Sequence, residues 1–181
     1  MITRKAELRR TAALAYWRYA HDYLRVAQEL YSKHEVSYAE AQPVYHLAAQ
    51  AQEFALKAFL RARAVPPEAL TEHYAFALDA AFDEARARGL PSPPPLVLGA
   101  VRSLAAHHRP EGFVRLDPAS AASTDAGLFF DAVRWLLDAI VPIVAEDYAT
   151  YYSDEASPSK ESFMLRLRAD LSATAREEAT L

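Results

Sequence analysis

The stretch Tyr45 to Leu60, YHLAAQAQEFALKAFL, constrains this chain more than any other, because one helix there has to carry two different faces. Val44, Ala48, Ala51, Ala55, Ala58 and Ala62 recur at spacings of four and three, the period of a buried helical seam. Leu47, Phe54 and Phe59 widen that seam into a broad apolar stripe. Across the helix from that seam, Gln50, Glu53 and Lys57 line up at i, i+3 and i+7.

The same period runs through most of the chain. A first helix is expected from about Lys5 to Lys33, with Leu8, Ala12, Ala15, Tyr19, Tyr23, Val26 and Leu30 as its seam and Trp17, Leu24 and Tyr31 as a heptad-spaced flank. The second runs from about Tyr38 to Ala64, with Pro43 near its first turn and Pro66-Pro67 ending it. Thr71 reads as the N-cap of a third helix reaching Arg88, and Gly89 as its stop. Pro91 to Pro95 is a stiff connector, Leu96 to His107 a fourth helix, and His108 to Ser123 a loop by composition. Asp125 opens a fifth helix to about Tyr152, which Pro142 should kink, and Ser157-Pro158 opens a sixth bearing Phe163, Met164, Leu167 and Leu171.

No stretch alternates long enough for a strand. The expected fold is all-α, an up-and-down helical bundle built on two long antiparallel helices plus three or four shorter ones. Residues 5–152 would form the bundle. Residues 158–178 would add a C-terminal amphipathic helix packed on it or on a partner.

Composition narrows the function classes. With 52 % hydrophobic and 24 % charged residues the chain suits an ordinary globule. A net charge of −4 argues against gripping nucleic acid by bulk electrostatics. The absence of cysteine excludes disulfides, thiolate catalysis and zinc fingers. No Glu-x-x-His pair, HExxH motif or phosphate-cradling glycine loop occurs, so neither metal nor cofactor is expected. The charged N-terminus has no signal-peptide core, and no apolar run is long enough for a bilayer. A cytoplasmic protein without a membrane role is the expectation.

Glu53 and Lys57 have the favourable order for an i,i+4 ion pair, with Gln50 one turn back. They form either a ligand-contacting polar face or a structural pair tying the second helix to a neighbour. Arg115, in Phe-Val-Arg-Leu, either binds a phosphate or carboxylate through its planar fork or pins its loop to the bundle.

Three segments in order, YWRYAHDYLRVAQEL (Tyr16 to Leu30), YHLAAQAQEFALKAFLRA (Tyr45 to Ala62) and TEHYAFALDAAFDEARARGL (Thr71 to Leu90), resemble the HEPN family of helical domains, named for higher eukaryotes, prokaryotes and nucleotide binding. GFVRLDP (Gly112 to Pro118) is similar to the arginine-containing element after that family's fourth helix. Tyr74 and Leu116 depart from the pattern, where Asp and an aromatic are common. The resemblance implies a dimerising module that binds a protein partner or nucleotide, noncatalytic or degenerate, paired with a nucleotidyltransferase-type protein in a toxin–antitoxin or defence system.

The resemblance also implies an alternative, a metal-independent ribonuclease. Such members use Arg and His four to six residues apart, the His taking a proton from a 2′-hydroxyl and the Arg stabilising the phosphate. Arg102 and His107 have that spacing, as do Arg102 and His108, with Ser103 replacing the usual Asn or Asp. Chance supplies about 1.6 such spacings in a chain of this composition.

Overall fold

The structure, a computed structural model, describes residues 12–33, 38–75, 77–108 and 126–152. All six elements among them are helices: α1 (Ala13–Lys33), α2 (Tyr38–Ala62), α3 (Pro67–Tyr74), α4 (Leu78–Ala87), α5 (Pro95–His108) and α6 (Ala126–Tyr152). The fold is an all-α bundle. The expected sixth helix, the residues before Ala12 and the loop containing Arg115 lie outside the described residues. Among the described helices none is long and apolar enough to cross a membrane.

The chain divides into two compact units, Met1–Val144 and Ala145–Leu181. Their boundary lies within α6, two residues past Pro142, whose missing N–H removes one rung of the helical ladder. In the first unit α2 is the hub, packed along α1 and touching α3, α4 and α5. Its seam works as the spacing predicts: Val44, Ala48, Ala51, Ala55 and Ala58 are fully buried, and Phe59 with them. Tyr45 meets the Phe129 ring edge-on at 5.4 Å, and Tyr31 meets Phe130 likewise at 5.7 Å, joining α2 and α1 to α6.

Several expectations need correcting. The third helix is two. Pro66 is the N-cap of α3 and Pro67 its first residue, so the Pro-Pro pair both stops α2 and starts α3. Thr71 therefore sits inside α3, where its hydroxyl donates to the Pro67 carbonyl at 3.2 Å, rather than at an N-cap. α3 ends at Tyr74 and α4 begins at Leu78. α2 begins at Tyr38, with Pro43 just past its first turn, as expected. α5 starts on Pro95 and includes His108. Among the described residues α1, α2 and α6 span 21, 25 and 27 residues.

The buried side of α1 is also not the one its spacing favoured. Trp17 and Leu24, expected on the flank, are buried with Ala13, Ala20 and Ala27. Tyr19 and Val26, expected in the seam, are exposed. Two apolar faces share this helix; one is buried, and the other is covered only in part, along the edge where Tyr19 and Tyr23 meet Phe54.

Two helices end in the same hydrogen-bonded turn. After α4, Leu90 N–H donates to Ala85 O at 2.9 Å and Gly89 N–H to Arg86 O at 3.1 Å, with Gly89 at φ +96°. After α2, Val65 N–H donates to Leu60 O and Ala64 N–H to Arg61 O, both at 3.0 Å, but here the left-handed residue is Ala64 at φ +64°. A Cβ in that region costs about 1 kcal/mol or more. Ala64→Gly should therefore raise stability by about 1 kcal/mol in chemical denaturation, with no change in helix content.

Candidate functional site

Besides ion pairs within single helices, ionisable side chains of different helices meet in a buried cluster and in a surface one. The buried one grows from the polar row of α2. Glu53 and Lys57 are only 6 % and 9 % exposed, and the Lys57 ammonium donates to Glu53 Oε1 across one helical turn. The other oxygen of the same carboxylate, Oε2, meets Nε2 of His108 from the last turn of α5. His108 is itself buried, and its Nε2 also lies 3.2 Å from the carbonyl oxygen of Ala75, just past the end of α3.

His46, two turns before Glu53, stacks on His108 with ring centroids 6.2 Å apart and planes 18° apart. Burial, and then His108, hold His46 below the ordinary histidine pKa, with Glu53 pulling the other way. Tyr16 of α1 lies on the same side. Burial raises its pKa, Arg61 works against that, and Glu53 adds to it. Beside the cluster, the fully buried Gln52 donates to the Val101 carbonyl at 3.1 Å, so two consecutive residues of α2 bind α5.

This arrangement fits the structural reading of Glu53 and Lys57. One carboxylate is shared by an ammonium and an imidazole, away from bulk water. Gln50 is half-buried one turn back. His108, His46 and Gln52 complete the cluster, and the contacts that bring α5 and Ala75 to it are tertiary. Only the position of His46, seven residues before Glu53 on the same helical row, was visible as a pattern.

The surface constellation surrounds Arg102. Its guanidinium donates to Asp79 at 3.0 Å and to Asp83 at 2.5 Å, two carboxylates one turn apart on α4. It also lies 5.0 Å from the centroid of the Phe82 ring. The Asp83 hydrogen bond is the first cause of its raised pKa, and burial opposes it. Arg102 thus fastens α5 to α4.

The side chain of His107, like Arg115, lies outside the described residues. His108 faces the Glu53 cluster. The described residues contain no group of three or more His, Cys, Asp or Glu able to hold a metal. No family model, curated protein or solved structure matches this chain.

Two measurements test the cluster. Removing one member of a buried charge pair leaves the other uncompensated, so Glu53→Leu should lower unfolding free energy by about 3–5 kcal/mol. Glu53→Leu with Lys57→Met, which removes both charges, should lose clearly less. For His46 the unfolded chain binds the proton more readily, because the folded pKa is depressed. Its contribution is present above the unfolded value of 6.5 and is lost as pH falls below it. Comparing denaturation midpoints of wild type and His46→Asn from about pH 8 to about pH 5 should give curves that diverge below that value, the variant falling less.

Proposed function

We propose that this chain is a noncatalytic helical module of HEPN-like type, which self-associates and binds a protein partner rather than cleaving RNA. The observation that carries this is the state of Arg102. An arginine that stabilises a phosphate must present its fork to the substrate. Here two aspartates hold the fork and Phe82 backs it. The same carboxylates place negative charge where a polyanion would have to approach.

The buried cluster supports the same conclusion. Glu53, Lys57 and His108 engage one another, which suits a strut better than a binding surface. A nucleotidyltransferase-type protein is the partner that the HEPN resemblance implies. Nucleotide binding through Arg115 would be a separate property of the loop that carries it.

Incubation with tRNA and mRNA tests the central point. Wild type and the Arg102→Ala/His107→Ala variant should leave RNA equally intact. Cleavage by wild type that the variant lacks would establish the ribonuclease alternative instead. Arg102→Ala should still weaken the fold by about 1 kcal/mol, a modest loss because the pairs it breaks are solvent-exposed.

A further inference from the structure

α1 carries more apolar surface than its own fold consumes. About a third of a turn from the buried side, Tyr19, Tyr23, Val26 and Leu30 recur at i, i+4, i+7 and i+11. Tyr19 is 45 % and Val26 42 % exposed, while Tyr23 and Leu30 are partly covered. Along one edge the stripe is backed by Phe54 of α2, whose ring lies 5.6 Å from that of Tyr19 and 5.4 Å from that of Tyr23. Along the other edge runs a row of exposed charges: Arg18, Asp22, Arg25 and Glu29.

The order of signs in that row is plus, minus, plus, minus, and reversing its direction inverts every sign. Arg18 and Glu29 have their midpoint between residues 23 and 24, and Asp22 and Arg25 share it. When two identical helices pack antiparallel about a two-fold axis, each flank lies against the same flank of the other copy. A general charge row would then confront like charges. This row meets an opposite charge at all four positions.

We propose that α1 packs antiparallel on α1 of a second copy, about a two-fold axis beside residues 23 and 24. The stripe forms the centre of the contact, and Arg18–Glu29 and Asp22–Arg25 pairs close its edge in both directions. About that axis Val26 sits roughly two residues, ~3 Å of helical rise, from Tyr23 of the second copy, so the side chains interleave. The intrachain pairing leaves room for this exchange. Among the described residues Arg18 and Asp22 make no ion pair. Arg25 and Glu29 pair with each other at 2.6 Å with both side chains about half exposed. Such a pair is weakly held and free to re-partner across an interface.

This surface rests on the self-association in the proposed function, and charge reversal separates the two. Sedimentation velocity over a dilution series of the full chain should give twice the 20.1 kDa chain mass. Arg18→Glu/Arg25→Glu makes the row wholly negative, and Asp22→Arg/Glu29→Arg makes it wholly positive. Each variant alone should dimerise at least tenfold more weakly, with unchanged circular dichroism because all four side chains are exposed. Mixed one to one, they should recover the dimer mass as a mixed pair. Dimers indifferent to both reversals, or reversed variants that stay monomeric when mixed, would overturn the α1 surface while leaving self-association standing. A wild-type monomer at every concentration would overturn both, and neither result bears on RNA cleavage.

Discussion

Small side chains on one helix make the first compact unit what it is. α2 packs closely on α1, α3, α4 and α5 because its seam is alanine, and alanine lets backbones approach without leaving gaps that larger residues would have to fill. The larger groups stand beside the seam, with Phe59 and Leu60 buried and Phe54 half-covered under the tyrosines of α1. Once α2 is enclosed on so many sides, its polar row has little access to water. Glu53 and Lys57 are therefore buried as a consequence of the packing, and the carboxylate needs the second partner that α5 supplies.

Charge then does different jobs at two depths. Inside, Glu53 links three places in the chain: the next turn of α2, the end of α5 and, through His108, Ala75 after α3. A buried arrangement of this kind contributes geometry more than free energy, since desolvation offsets much of the attraction. At the surface, Arg102 spans two aspartates on α4 and lies over Phe82, an association that holds two short helices together in water. Both use the residues that spacing along the chain would offer to a ligand, and both turn them inward to the protein.

Much of the fold was legible from periodicity. The alanine seam of α2, the stop at Gly89 and the helix running to Tyr152 are local patterns, and local patterns survive into the structure. The face of α1 was not, because that helix has two apolar stripes and periodicity cannot rank them; only α2 and α6 decide which is covered. The boundary at Pro66-Pro67 was half legible. Proline is as good a first residue as it is a terminator, and no rule within the sequence says which role is in play. At the candidate site, Glu53 and Lys57 were visible as a pair from their spacing. His108 was not visible as their partner, since it lies more than fifty residues away. Asp79 and Asp83, one turn apart, were the available hint that Arg102 had acidic company.

The junction between α3 and α4 leaves a trace in how this protein can vary over time. His108 is held there by the carbonyl of Ala75, an atom that every amino acid possesses. Drift at position 75 can exchange the side chain without touching that contact, so long as the backbone keeps its course. Drift at position 108 has no such freedom, because an imidazole must meet a carboxylate and a main-chain oxygen at once. Descendants of this chain would accordingly show a restless position 75 beside a steadfast 108, although the two touch.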